Sequence, residues 1–331
     1  MNNYNKIKLD ANESSNIPSW MLNIDSSKLL EQINRYPSMD SDALKFALAK
    51  NYNLKKSNFI CGNGSDEILS FIFQAFVNQD DNVISLNPSF SMYSKFTKIR
   101  KAQLILLNEF DFNLDNLIYS IKKFNPKLII LCNPNNPTGK IISSETIQKI
   151  LSIFDGIIIL DEAYMDFSNQ SFIDKIKFFP NLLITKTFSK AYGLAGLRVG
   201  YACGSKKLID KLNNVKPPYN LNSISESLAI QALSNKDSLN SHIDEILYLK
   251  NKLIQFLTKS FNFKIYESST NFIFINTTNY PLDKYLKEKN IIIRSFENLP
   301  FHYRITIGNK NEIEILINSL KELNIYERCN N

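Results

Sequence analysis

A lysine followed eight residues later by an arginine, in a glycine-bearing frame, is the strongest chemical signal in the sequence. The stretch reads Thr185-Lys186-Thr187-Phe188-Ser189-Lys190-Ala191-Tyr192-Gly193-Leu194-Ala195-Gly196-Leu197-Arg198-Val199-Gly200. A lysine amine condenses with an aldehyde, its surroundings tune its pKa, and a nearby guanidinium holds an anion. Asp161-Glu162-Ala163-Tyr164 follows the apolar run Gly156–Leu160. A carboxylate there needs a cationic partner or several donors, unless it only caps the next element. Asn133-Pro134-Asn135-Asn136-Pro137-Thr138-Gly139 places two X-Pro bonds in one short loop, which calls for a fixed and even cis backbone. An asparagine amide held between them is a ready donor to a ligand oxygen. Cys61-Gly62-Asn63-Gly64-Ser65-Asp66-Glu67 reads as a turn into a helix. Amides at such a helix start attract anions, although the stretch alone also fits a plain turn with a serine cap.

These clusters need a scaffold that gathers loops. Helix-like and strand-like patterns alternate from about residue 42 to 240, the signature of βαβ units on a mainly parallel sheet. Ser65–Val77 reads as a helix with Ser65 at its cap and Asp66 and Glu67 in its first turn. Val83–Leu86, Leu128–Cys132, Gly156–Leu160, Leu182–Thr185 and Val199–Cys203 read as buried strands. Ligands of open α/β sheets bind where such strands end. After Lys216-Pro217-Pro218 come helices over Ser223–Ser234 and Asp237–Ser260. Strands at Asn271–Ile275, Ile291–Arg294 and Tyr303–Ile307 then alternate with a helix opened by Pro281 and a last one over Asn309–Leu323. This tail reads as an α+β unit, and the first forty residues, with no sheet of their own, are expected to pack against it.

Composition narrows the class. The 331 residues carry 39 Lys+Arg against 32 Asp+Glu, a formal charge of +7, with 44% hydrophobic residues, 23 Phe and 15 Tyr. That chain has ample apolar material for a large unit plus a smaller one, and it is not disordered. The longest apolar-rich run, Ile68–Val77, is about half of the ~20 residues a bilayer needs. Basic residues are scattered, in pairs such as Lys55-Lys56 and Lys122-Lys123, so no nucleic-acid partner is predicted. Cys61, Cys132, Cys203 and Cys329 lie far apart, and only His242 and His302 could assist them, so neither a disulfide framework nor a metal is expected. Met1–Ser15 is polar, which predicts no secretory leader and a cytoplasmic location.

Taken together the clusters resemble the class II, fold-type I pyridoxal-phosphate aminotransferases, and most closely the histidinol-phosphate aminotransferase family. The resemblance runs from Leu9-Asp10-Ala11-Asn12-Glu13 and Asn34-Arg35-Tyr36-Pro37 to Tyr303-Arg304-Ile305-Thr306-Ile307-Gly308, with NPNNPTG, DEAY and SKAxGLAGLR in order between. It implies an α/β fold: a large domain, 41–240, with a mainly parallel seven-stranded sheet between helices, and a smaller α+β domain made of 1–40 and 241–331. It also implies pyridoxal 5'-phosphate held covalently by Lys190, which would then move the substrate's Cα proton. Asp161 would pair with the pyridine nitrogen, and Asn136 and Tyr164 would hydrogen-bond the phenolic oxygen. Arg198, Ser189 and the Ser65-Asp66 backbone would hold the phosphate, with Asp66 contributing its N–H. Phe90 would stack on the ring. Tyr36 would reach the cofactor phosphate of a second subunit, making an obligate homodimer with shared sites. Arg304 and Arg294 would bind substrate anions, both phosphate and glutamate carboxylate.

The implied reaction is amino-group exchange between glutamate/2-oxoglutarate and a phosphorylated amino alcohol, histidinol phosphate by default. The chain opens eight residues before Leu9, so the N-terminal arm usual in the family is expected to be missing. A smaller partner, such as serinol phosphate formed from dihydroxyacetone phosphate, fits the same residues. Two other readings remain. One is a decarboxylase of a phosphorylated amino acid, similar to threonine-phosphate decarboxylase. The other is a non-catalytic effector domain of a transcription regulator, which would bring a DNA-binding module.

Overall fold

The computed structural model describes residues 6–31 and 33–330. Among them two sheets form. The larger is built from β2 (Phe59–Asn63), β3 (Asn82–Asn87), β4 (Gln103–Asn108), β5 (Leu128–Cys132), β6 (Ile157–Asp161), β7 (Leu182–Thr187) and β8 (Val199–Gly204), after the short β1 (Ile7–Leu9). Its order is β2-β8-β7-β6-β5-β3-β4. β3 to β7 pair in parallel, and β8 runs antiparallel to both neighbours. β5 shows why such strands form: all of its five residues, Leu-Ile-Ile-Leu-Cys, are buried. Leu128, Ile130 and Cys132 face one core with Ile68 and Ile72, while Ile129 and Leu131 face the other with Leu44 and Ile147. A strand covered by helices on both faces reads as a continuous apolar run, and each fully buried Leu or Ile contributes about 1.5–3 kcal/mol.

This topology gathers the chemical loops. The parallel strands β5, β6 and β7 all end on one edge, where Asn133, Glu162 and Phe188 begin their loops. β8 runs the other way, so its start lies beside the end of β7, with Gly200 opposite Thr187. Arg198 arrives at that edge for this reason. β2 is antiparallel to β8, so Asn63, opposite Val199, ends there as well.

The smaller sheet has the order β1-β11-β12-β10-β9, with β9 Lys264–Tyr266, β10 Phe272–Asn276, β11 Ile291–Phe296 and β12 Leu299–Thr306. β1 pairs in parallel with β11, so residues 7–9 supply a strand to the tail unit, whereas Trp20 and Met21 further along the N-terminal segment pack against the core of the larger sheet. The core under this sheet includes Leu9, Phe272 and Ile305 and takes in Tyr164, Phe167 and Ala191 from the loops of the larger sheet.

Several boundaries depart from the pattern reading. β2 and β4 are strands the apolar pattern does not single out. β2 is interrupted by Gly62, and β4 is an edge strand with half of its face in solvent. The helix after β2 spans Ser65–Phe76, and its cap is Gly64, not Ser65. Gly64 adopts φ +86°, and a Cβ there would lie 2.6 Å from the Arg198 guanidinium, so only glycine fits. Pro281 likewise precedes its helix, Leu282–Glu288, as the cap. Cys61, Cys132 and Cys203 are buried free thiols, and the Cys329 side chain lies outside the described residues. Among the described residues no helix is long and apolar enough to cross a membrane, and no His/Cys/Asp/Glu group could hold a metal ion.

Candidate active site

The strand-end loops and the N-terminal segment enclose one cavity of about 190 Å³. Ser65, Asp66, Phe90, Asn136, Asp161, Tyr164, Ser189, Lys190, Arg198 and Arg304 all line it. Ten of the twelve site residues expected from sequence therefore meet in one place.

Asp161 ends β6 and is 2% exposed. Burial pushes its carboxyl above the usual carboxylate range, and three donors oppose that. Tyr93 Oη donates to Oδ2 at 2.7 Å, and Thr185 Oγ1 (3.0 Å) and the Ala163 amide (3.3 Å) donate to Oδ1. The sequence alternatives were a cationic partner or several donors; the fold supplies donors. Lys190 Nζ donates to the Ala11 carbonyl at 3.0 Å. Burial, then the cations Arg304 and Arg198, lower its pKa to about 8, against a smaller pull from Glu13 and Asp66.

The loop after β5 has cis peptides at Asn133-Pro134 and Asn136-Pro137. Asn136 Oδ1 accepts from Arg304 Nη1, which leaves Nδ2 as the amide's remaining donor. Arg304 also donates to the Asp10 carbonyl, while its buried Nε has no partner among the described residues. Tyr164 Oη accepts from Asn12 Nδ2 at 2.9 Å, and burial raises its pKa to about 12. At the other end of the cavity Arg198 donates to Ser189 Oγ at 3.3 Å and pairs with the Asp66 carboxylate at 3.5 Å. The Ser65 and Asp66 amides open a 12-residue helix there and have no acceptor among the described residues. That end offers a cation, a hydroxyl and free amides, the chemistry of an anion site.

Two expected residues lie elsewhere. Arg294 stands within β11, with Arg304 opposite it on β12. It is exposed and lines a neighbouring groove with Phe90 and Asn87. Tyr36 is 83% exposed and stacks on Tyr219, ring centroids 4.8 Å apart. The structure also adds residues that sequence reasoning gave no role. Asn12, fully buried at φ +55°, holds Tyr164 and bonds Thr306. Its tolerance of that backbone is a property of asparagine, and its place in Leu9-Asp10-Ala11-Asn12-Glu13 was the available signal. Tyr93 and Thr185 carried none, because their contacts to Asp161 come from other strands and helices.

Fold and site together define the fold-type I aminotransferase architecture, and the chain matches the family described as "Aminotransferase class I and II" over residues 4–320. It belongs to that family. A histidinol-phosphate aminotransferase of Thermoanaerobacter sp. (strain X514) is 41% identical over 327 residues, covering 96% of this chain and 93% of that protein, which places the chain in the histidinol-phosphate aminotransferase branch. Among solved structures, the histidinol-phosphate aminotransferase from Sinorhizobium meliloti in complex with pyridoxal-5'-phosphate superposes with TM-score 0.88 at 23% identity, over 97% of this chain and 91% of that one. L-threonine-O-3-phosphate decarboxylase from Porphyromonas gingivalis superposes with TM-score 0.82 at 23% identity, over 96% and 99%.

Proposed function

We propose that this protein exchanges an amino group between glutamate/2-oxoglutarate and a phosphorylated amino alcohol of the histidinol-phosphate type, with pyridoxal 5'-phosphate as its cofactor. The carrying observation is the placement of Lys190. A lysine whose pKa is lowered to about 8 stands between an anion site at Arg198 and a second guanidinium at Arg304, with a buried carboxylate at Asp161 on the cavity floor. The cofactor needs those features: a neutral amine for its aldehyde, an anion site for its phosphate, a carboxylate for its pyridine nitrogen and donors for its phenolic oxygen.

Bound there, the cofactor supplies an electron sink for the substrate's Cα carbanion. Arg198, Ser189 and the Ser65 and Asp66 amides hold the phosphate. Asp161 would pair with the ring nitrogen and hold a proton there, and its three donors oppose the effect of burial on its carboxylate. Asn136 Nδ2 and Tyr164 Oη face the phenolic oxygen, and Phe90 covers the ring. Lys190 Nζ would be the base that carries the proton from the substrate's Cα. Arg304 would bind the substrate anion, and Arg294, next to it on β11, would add a second cation for a phosphate.

In this reading residues 41–240 form the cofactor-binding unit and the remainder the smaller one, and the enzyme works in the cytoplasm as a homodimer. Its N-terminal segment presents Ile17, Leu22, Ile33, Tyr36, Met39 and Phe46 to solvent, each more than half exposed, which is apolar surface suited to a second copy. Tyr36 would reach the partner's cofactor phosphate.

The test is a screen of half-reactions. Purified enzyme is mixed with glutamate, histidinol phosphate, serinol phosphate and unphosphorylated histidinol while the visible absorbance of the bound cofactor is followed. Glutamate and a phosphorylated amine should bleach it; histidinol should not. Equal use of histidinol would remove the phosphate requirement, and carbon dioxide release from phosphothreonine would replace transamination with the decarboxylase reading.

A further inference from the structure

Outside the cavity, one buried cation has no anionic partner among the described residues. Lys250 lies in the long helix Lys236–Ser260, is 5% exposed, and donates to two backbone carbonyls, Ser268 O and Thr270 O, both at 2.7 Å. Burial alone brings its pKa down to about 8. An ammonium held without a carboxylate costs stability, so its geometry asks for an explanation in the turn it grips.

That turn, residues 268–270, joins the smaller sheet to the site along two routes. Ser269 N donates to Gly139 O at 2.9 Å, and Gly139 ends the loop that carries Asn136. Gly139 has φ +80°, and a Cβ on it would lie 2.5–2.9 Å from Ser268 atoms, so turn and loop are in direct backbone contact. The second route starts at the next residue. Asn271 Nδ2 donates to Asn12 O at 3.2 Å, and Asn12 Nδ2 donates to Tyr164 Oη. Asn136 and Tyr164 are the two groups that, on the reading above, face the cofactor's phenolic oxygen.

We propose that Lys250 is a positioning residue. By fixing the 268–270 turn, it sets where Asn136 and Tyr164 stand, and through them the ionisation of the bound cofactor. The inference rests on the function proposed above for the Asn136 and Tyr164 side chains. It predicts coupling between a small-unit helix and the colour of the enzyme.

The experiment titrates the visible spectrum of holoenzyme against pH for the parent, Lys250→Met, Gly139→Ala and the double variant. Gly139→Ala pushes the turn from the loop without touching Lys250. Both single variants should shift the spectral midpoint by at least half a pH unit in the same direction and lower kcat about tenfold with KM for glutamate little changed. The double variant should shift no further than the larger single one, because both act through one turn. Lys250→Arg, which can still donate to the two carbonyls, should restore part of the shift. A parental midpoint in Lys250→Met, together with lowered thermal stability, would make Lys250 merely structural and overturn the proposal. If Lys250→Met does not fold, Lys250→Gln, shorter and uncharged, takes its place, and a parental midpoint in that variant overturns the proposal. Failure of the functional reading shows separately, as parent enzyme that forms no coloured holoenzyme or does not respond to glutamate.

Discussion

Lys186 and Lys190 are four residues apart on one strand and its loop, both are buried, and their environments drive them in opposite directions. Lys186, near the end of β7, is 2% exposed; its Nζ lies 2.7 Å from Asp166 Oδ1 and 3.7 Å from Glu162 Oε2. Burial works to lower its pKa, yet those carboxylates and Tyr52 hold it well above the ordinary lysine value. Lys190, beyond the strand end, donates to a carbonyl and pairs with no carboxylate among the described residues; burial and the Arg304 and Arg198 guanidiniums outweigh the pull of Glu13 and Asp66, and its pKa falls to about 8. At pH 7 a pKa near 8 leaves about a tenth of the amines neutral, roughly 300 times the fraction for an unperturbed lysine. The reactive lysine is thus defined by the anion it lacks. Its neighbour's network has another use: Glu162 also accepts from Ser171 Oγ and the Phe172 amide, which ties the loop after β6 to the segment beyond it.

The largest effect should come from Lys190→Ala. Loss of both amine capture and proton transfer should cut turnover by about 10⁴-fold or more, while pyridoxal phosphate still binds through Arg198, Ser189 and the helix amides. Borohydride reduction followed by peptide mapping checks it. Reduced cofactor found on Lys186, or turnover near the parent's, would break the contrast between the two lysines.

Lys186→Met should fail in a different way. A buried carboxylate, Glu162, and a partly buried one, Asp166, would lose their cation, which costs about 3–5 kcal/mol of stability, read as a lower urea midpoint. The protein that remains folded should keep turnover within about threefold, since Lys186 touches nothing in the cavity. A collapse of turnover at full stability would place Lys186 in the chemistry.

The contrast also explains what was legible in the sequence. Buried strands such as Leu128–Cys132 announce themselves because both faces are apolar, and the clusters beside them gave Asn136, Asp161, Tyr164, Ser189, Lys190 and Arg198 of the cavity's residues, whereas Phe90 and Arg304 came from the resemblance alone. The edge strand β4, half exposed, gives no such run. Lys190 and Arg198 were readable from local spacing. Asn12, Tyr93 and Thr185 were not, because each acts through a partner between 24 and 152 residues away in sequence. Arg294 and Tyr36 could be named from the resemblance, but their places, beside the cavity and stacked on Tyr219 at the surface, depend on strand register and on contacts distant in sequence.

The smallest effect is the sharpest probe of why Lys190 is reactive. Burial is the largest cause of its lowered pKa and Arg304 the next. Arg304→Gln removes that cation while an amide remains near Asn136. The Lys190 ammonium should then be easier to keep, and its pKa should rise by about half a unit to one unit. The amine must be neutral to attack an aldehyde, so in the parent the rate at which apoenzyme captures pyridoxal phosphate should climb with pH through about 8 and level off above it. In Arg304→Gln the same curve should lie higher in pH, slowing capture roughly three- to tenfold at pH 7 and leaving it unchanged on the alkaline plateau. Raised salt should shrink the gap only slightly, because the pair is buried and poorly screened. Stopped-flow capture rates between pH 6 and 10 decide the matter. A midpoint unmoved by Arg304→Gln would leave burial and Arg198 as the causes. A midpoint moved by Lys186→Met, whose charge is already neutralised by Asp166 and Glu162, would mean that the two lysines share one electrostatic environment after all.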